Sequence, residues 1–494
     1  MPPGAGRPAV LSAQHLTAAM LFPTIDFAIF FAVAFTVNWL LNPYAGWWKL
    51  SMIGLSYVFY GWVGWSYCLL LLATTVVAFA GGQLVTIAPT ERGRRLAMAF
   101  SVAALLGILG WFKYYGFVSV NVDNVLHGVG MGQAVPLFQV GLPIAISFFT
   151  FMAISYVVDV YRGTLHPARP LDFAVYLSFF PHLLAGPIVR GGELLPQIRR
   201  RRDGDAIDYS RAFWLILAGL FKKVVISSYV ASAIVTPVFT SPGQHSAPEA
   251  IFAAWGYAVQ IYCDFSGYTD IAIGLALLLG FRFPINFNAP YTARNLQDFW
   301  RRWHMTLSRW LRDYLYIPLG GNAGSEAQTI RNIMLTMVLG GLWHGAAWTF
   351  VIWGALQGVG QSVGHLRRRS RTRRGLPAVA EGPVRIWVQR VLTFQFVCLG
   401  WVFFNASSVS QAFAVLGRVF TGWGEASPLV TPLLVLTVFG TLLAQFVPPI
   451  SVSRLQASFS RQRTAIQVGL LGVGLLGITT FGPVGVAPFI YYRF

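Results

Sequence analysis

Eleven apolar runs, divided by short arginine-bearing loops, limit what this chain can fold into before any motif does. They cover residues 26–41, 49–62, 66–87, 96–120, a run opening at Pro143, then 212–235, 248–279, 333–357, 387–404, 429–447 and 466–481. Several reach the roughly twenty residues needed to cross a hydrocarbon core. Only 11% of the residues are charged and 55% are hydrophobic, whereas a soluble domain is about a quarter charged. The alternating strands of an outer-membrane barrel, roughly ten residues each, are absent. The pattern predicts an all-α polytopic integral membrane protein. It would have roughly eleven transmembrane helices, plus re-entrant and interfacial helices, around a central passage.

The net charge of +19 would suggest nucleic acid in a soluble domain, but no binding module accompanies it. The arginines sit between apolar runs, where they set topology and touch the anionic headgroups of the lipid bilayer. Residues 367–374 hold six arginines in eight positions and read as a cytoplasmic loop, with 199–202 as a second basic cluster. Lys222 and Lys223 interrupt the run 212–235, either snorkelling from a helix end or marking an interface. Cys68, Cys263 and Cys398 lie far apart in apolar context, so neither a zinc site nor a disulfide framework can be read. No metal or bound cofactor is expected.

Residues 1–19 are polar and lack a signal-peptide pattern. They are expected to be a disordered extension or a misplaced start before Met20, with 20–494 as one membrane-embedded domain. The stretch 171–195 is apolar but short and is broken by Pro181, Gly186 and Pro187. It reads as re-entrant, with His182 bonded to a freed backbone carbonyl. No internal repeat is evident, which disfavours a transporter built from inverted halves.

Two histidines flanked by tryptophans stand out. From an Asn295 N-cap to a stop at Pro318, Phe299, Trp303, Leu307, Trp310 and Tyr314 form an apolar stripe. Arg301, Arg302, Arg309 and Arg312 take the other face. His304 sits between the faces, one turn before Ser308. This reads as one interfacial helix, with His304 as a snorkelling side chain or as part of a site whose arginines suit a phosphorylated carrier arm. His344 lies near the middle of the run 333–357, beside Trp343 and bracketed by Gly341 and Gly345 at a spacing that permits close helix approach. A desolvated imidazole favours its neutral, proton-accepting form. The alternative is a core histidine bonded to a neighbouring helix. Asp264 and Asp270 are costly in an apolar span unless paired or facing water. Arg282, Arg294 or an arginine of the amphipathic helix could pair with them in a structural ion pair. Lining a substrate passage is the other reading.

No GxSxG elbow, Walker A or HExxH motif occurs. FWRRWHMTLSRWLRDYLYIPLGGN, followed by GLWHGAAWTFVIWG, resembles the membrane-bound O-acyltransferase family, in its alginate O-acetylation and D-alanyl transfer branch. FPTIDFAIFF, LPIAISFFTFMAISYVVDVYRG, YLSFFPHLLAGPIVR, YCDFSGYTDIAIGLALLLGF, NFNAPY and PFIYYRF extend the resemblance from Met20 to Phe494. It implies that His344 is the active-site histidine and His304 the second histidine of the bacterial branch. Trp303, Ser308, Arg301, Arg302, Arg309, Trp343, Asp264 and Asp270 are candidates for donor or substrate binding.

The implied activity is transfer of an acyl group, foremost acetyl, from a cytoplasmic thioester to an exported polysaccharide or another envelope acceptor. The donor would be acetyl-CoA or an acyl-carrier protein thioester. A periplasmic or extracellular hydrolase-like partner and a location in the bacterial inner membrane are also implied. D-alanyl or longer-chain transfer is the enzymatic alternative. A transporter without acyl chemistry and an inactive scaffold are the others.

Overall fold

The computed structural model describes residues 22–130, 136, 138, 141, 143–184, 186–375, 382–482 and 490. The expected extension 1–19 and, apart from Ile490, the terminal PFIYYRF motif lie outside them. Every regular element among the described residues is helical. Among the described residues, six helices are long and apolar enough to cross a membrane: Trp65–Ile87, Glu91–Gly128, Tyr209–Thr240, Ala247–Leu278, Pro383–Asn405 and Thr464–Phe481. The pair Pro432–Ala444 and Pro449–Ser460, bent by 96°, would make a seventh. Ile25–Leu40, Ile146–Tyr161 and Val409–Thr421 are apolar but shorter. The protein is thus a helical membrane protein. The runs outnumber the long helices because several form single helices of only 16 or 17 residues and one, 333–357, is divided at residues 345–347. The helix Glu91–Gly128 runs past residue 120, where the fourth apolar run ends.

The chain forms two compact units. The first comprises the described residues up to 212 and residues 271–284. There the helices Trp65–Ile87, Glu91–Gly128 and Ile146–Tyr161 pack together, with Gly81 and Gly82 leaving room for Ser101 and Tyr156. The stretch expected to be re-entrant forms the short helices Pro170–Ser178, Phe180–Leu183 and Gly191–Arg199. Buried Asp172 pairs with Lys49 at 2.5 Å and with Arg199 at 3.3 Å. Arg202, expected at an interface, is buried over the Trp48 ring at 3.7 Å. The His182 ring lies against Phe179 and Phe283. Burial lowers its pKa to about 3, partly offset by the Tyr176 backbone, so it is neutral at physiological pH.

The second unit comprises residues 213–270 and the described residues from 285 to 490. Its organising helix is Ala247–Leu278, whose most apolar window is 83% buried, against at most 44% for the other long helices. Polar groups on it must therefore find protein partners. Gly267 admits the backbone of Tyr209–Thr240, because a Cβ there would sit 2.8 Å from the Gly219 carbonyl oxygen and 3.2 Å from the Lys223 nitrogen. Beside this contact the second helix widens into a π-helical turn, Phe221–Ser227, which lets two consecutive lysines face the same neighbour. Lys222 Nζ reaches Asp270 at 2.5 Å and Ser266 Oγ at 3.0 Å, and Lys223 pairs with Asp264. Asp264 Oδ2 also accepts from the Ile490 amide at 2.9 Å. The lysines therefore neither snorkel nor mark an interface, and they take the place of the arginines expected beside the carboxylates.

Removing one partner of a buried pair strands the other charge, at a cost of about 3–5 kcal/mol. Lys223→Met is expected to lower the thermal midpoint of the detergent-solubilised protein strongly. Lys223→Met with Asp264→Asn should recover most of the loss, because the amide oxygen still accepts from Ile490. Equal midpoints for the single and double variants would contradict this pairing.

Candidate active site

Glu326–His344 and Trp348–Arg373 form an antiparallel hairpin. A Cβ on Gly341 would strike the Phe350 carbonyl oxygen, and one on Gly354 would come within 2.9 Å of Val338 Cα. Two bare glycines thus let the arms touch through their backbones. At the open end Arg373 pairs with Glu326 at 3.0 Å. At the closed end the first helix stops at His344, and Gly345 turns the chain where a Cβ would meet the Phe350 ring. His344 is therefore at a hairpin tip and not inside a continuous span. It is 3% exposed, with Trp343, Trp353 and Phe404 edge-on around it at 4.9–5.1 Å between ring centres. The six arginines of 367–374 belong to the end of the second arm and its cap, not to a loop.

His304 also ends up at a break. The single amphipathic helix expected from 295 to 318 is divided into Leu296–Trp300 and Met305–Leu311, followed by a π-helical turn, Arg312–Tyr316. Its start is as expected, with Asn295 Oδ1 accepting from the Asp298 amide at 3.0 Å. His304 adopts a left-handed backbone, φ 40°, which costs a non-glycine residue about 1–3 kcal/mol. Segment 286–288 holds it there. The Asn288 amide donates to Arg302 O, and the Met305 amide to Asn286 O, both at 2.9 Å. Asn286 Oδ1 accepts from the Thr306 amide at 3.1 Å and the Thr306 hydroxyl at 2.8 Å. It also lies 3.2 Å from His304 Nδ1. An oxygen already accepting in this way is an acceptor toward the ring too, so Nδ1 carries the hydrogen and Nε2 the lone pair. His304 is 0% exposed, and burial lowers its pKa to about 3, leaving it neutral at physiological pH.

The hairpin tip brings the two histidines together. The Trp343 ring lies 4.9 Å from His344 and 6.0 Å from His304, while Phe265 presses on His304 at 4.6 Å. Trp303 packs among Phe299, Phe287 and Trp401 and supports the His304 turn. Asp264 and Asp270 are engaged by Lys223 and Lys222; Asp264 is the neighbour of Phe265. Arg302 is tied to Asp298 at 2.8 Å. Arg301, Arg309 and Ser308 instead line a cavity of about 390 Å³.

Sequence reasoning assigned no role to Asn286, Trp353, Gln361, His365 or Arg368. Gln361, His365 and Arg368 line the same cavity. A four-residue step, Trp353, Gln357, Gln361, His365, puts one polar-edged stripe on the second arm. It was hidden because the run was read as ending at residue 357. Trp300 also lines the cavity and donates from Nε1 to Gln357 Oε1 at 3.2 Å.

The membrane-bound O-acyltransferase family model matches residues 146–407, which contain both histidines, the hairpin and the cavity. The probable alginate O-acetylase AlgI of Pseudomonas aeruginosa is 39% identical over 403 residues, 81% of this chain and 75% of that protein. A peptidoglycan O-acetyltransferase of Helicobacter pylori is 36% identical over 430 residues, 80% and 78% of the two chains. A teichoic acid D-alanyltransferase of Streptococcus thermophilus is 26% identical over 282 residues, 53% and 68%. The chain belongs to the membrane-bound O-acyltransferase family. It is a multi-pass membrane enzyme, an O-acyltransferase.

Asn286 orients His304 and also satisfies the Thr306 amide. Asn286→Leu orphans these buried donors, worth about 1–3 kcal/mol. The acyl-transfer rate should fall at least about tenfold, the equivalent of 1.4 kcal/mol, with the KM for the donor little changed. A rate within twofold of wild type would contradict this role.

Proposed function

We propose that the protein transfers an acetyl group from a cytoplasmic thioester across the bacterial inner membrane, for O-acetylation of an exported polysaccharide or other envelope acceptor. The observation that carries this reading is the hairpin. Its tip brings two buried histidines to one tryptophan ring, and an arginine-lined cavity lies along the same arms toward their charged end. From His365 back to Trp353 is about 18 Å of helix at 1.5 Å per residue, a distance suited to an extended pantetheine arm. Residues 20–494 would work as one O-acyltransferase domain.

In this reading His344 takes the proton of the acceptor hydroxyl as its oxygen attacks the thioester carbonyl. The C–O bond forms, the C–S bond breaks, and the departing thiolate recovers a proton. His304, neutral and oriented by Asn286, positions the reactants or relays that proton. A thioester is already activated, so alignment and one proton transfer supply the rate, and no side-chain nucleophile is required. Trp303 and Trp343 hold the two rings. Arg301, Arg309 and Ser308 serve the donor, while Arg302, Asp264 and Asp270 hold the scaffold. A hydrolase-like partner outside the cytoplasm would receive the group or place it on the polysaccharide. The named acetyl-transferring relatives are more similar, at 36–39% identity, than the D-alanyl one at 26%, which favours acetyl as the cargo.

The test uses membranes containing the protein and acetyl-labelled coenzyme A, following label into base-labile ester. Wild type is expected to transfer it. His344→Ala should transfer about 10²–10⁴-fold less, the usual worth of a general base, while keeping its thermal midpoint. Unchanged acylation by folded His344→Ala would sink the assignment. Transfer only from a D-alanyl or longer-chain carrier thioester would replace the acetyl reading.

A further inference from the structure

Trp353 carries a buried hydrogen-bond donor that the fold does not use. The residue is 2% exposed, and among the described residues its Nε1 has no acceptor. An indole N–H can only donate, and a buried donor without an acceptor is costly. Four rings fix its direction. Trp401 stacks on Trp353 at 5.9 Å, while Trp300, Phe404 and His344 stand edge-on at 5.7, 5.3 and 5.1 Å. A second donor converges on the same place. Gln357 lies one turn further along the helix and is buried. Its Oε1 accepts from Trp300 Nε1 at 3.2 Å, so the amide is turned with its hydrogens on Nε2. A Cβ on Gly400 would stand 2.8 Å from Gln357 Nε2 and 3.4 Å from Trp353 Nε1. Both nitrogens therefore border the space that this glycine leaves bare, and any larger residue there would cover them.

We propose that Trp353 and Gln357 form an oxyanion hole, in which the two N–H groups hold the acyl carbonyl oxygen and stabilise it as its charge grows. This rests on the reading of His344 as the base. As the acceptor hydroxyl attacks, its oxygen bonds to the carbonyl carbon, the carbonyl π pair moves onto its oxygen, and the hydroxyl proton passes to His344. Collapse of the tetrahedral adduct returns that pair to the carbonyl, breaks the C–S bond and gives the proton to the departing thiolate. Donors fixed beforehand in a dry site need no reorganisation when the charge appears. The contact between the Trp353 and His344 rings lets one tetrahedral centre meet the donor on one side and the base on the other. Trp300, which holds the Gln357 amide in place, is a positioning residue.

The test replaces Trp353 by Phe and, to keep the bulk, by benzothienylalanine, in which sulphur stands where the N–H was. Gln357→Met removes the other donor. Steady-state transfer by the full-length protein is measured with the thioester that wild type turns over. Binding of the matching thioether, with a methylene in place of the carbonyl (S-ethyl-coenzyme A for acetyl-coenzyme A), is measured beside it. Each change should lower kcat by about 10²–10³-fold, the usual worth of one oxyanion donor. KM and thioether binding should stay within about twofold of wild type, because the interaction is made in the transition state. A kcat for the benzothienylalanine protein within about threefold of wild type overturns the proposal. So does a loss of thioether binding as large as the loss of kcat, which would mark a packing role. Either result beside an inactive His344→Ala leaves the base reading standing, whereas wild-type transfer by His344→Ala would overturn that reading itself.

Discussion

Gly341 and Gly354 touch where any side chain would collide with backbone, and the rest of the site depends on that contact. It lets two helices run antiparallel at backbone distance and turn sharply at Gly345. The turn places His344 at an end, where Trp353 and Phe404 from two other helical segments can close around it. It also aligns the second arm, so that its four-residue stripe passes from the ring of aromatics to the arginine cavity. A bulkier residue at either glycine would push the arms apart and move both ends of the site at once.

A second constraint concerns polarity. Ala247–Leu278 is the most buried of the long helices, yet it carries Asp264, Ser266 and Asp270. In such surroundings an unpaired carboxylate is expensive. The adjacent helix answers with two successive lysines, brought into line by a π-helical turn beside the Gly219–Gly267 approach. Ala247–Leu278 also supplies Phe265 to His304, so the ion pairs and the histidine turn share one rigid support. His304 is treated likewise, since Asn286, itself held by Thr306, meets its Nδ1 inside a shell of rings. The strain of its left-handed backbone is held by 286–288, which lies far enough upstream to clamp it from outside the broken helix.

Much of this was legible in the sequence. The apolar runs marked most of the long helices within a few residues, although Glu91–Gly128 extends well beyond its run, and the Asn295 cap was visible. The paired histidines between tryptophans pointed to the residues that now surround the Trp343 ring. What escaped were the breaks. The stripe Phe299, Trp303, Leu307, Trp310 keeps helical spacing in the sequence across 301–304, so nothing in it announces the left-handed backbone at His304. Likewise 333–357 is apolar throughout, so a three-residue turn at 345–347 leaves hydropathy unchanged. The partners of Asp264 and Asp270 escaped for another reason. Lys222 and Lys223 are about forty residues away in sequence, and only the helix crossing joins them. The arginines of 367–374 looked like a loop because charge masked a helix whose second half simply leaves the apolar region.

The most direct measurement of the whole account is photolabelling. A thioether analogue of acetyl-coenzyme A, carrying a small photoreactive acyl group, would be bound to the full-length protein and irradiated, and the labelled peptides mapped. Label concentrated between Trp343 and Trp353, and lost when excess coenzyme A competes, is the predicted result. It would mean that a donor seated among the arginines delivers its acyl group to the hairpin tip. Label confined to other helices, or label that coenzyme A does not displace, would contradict the claim that the cavity and the two histidines form one catalytic site.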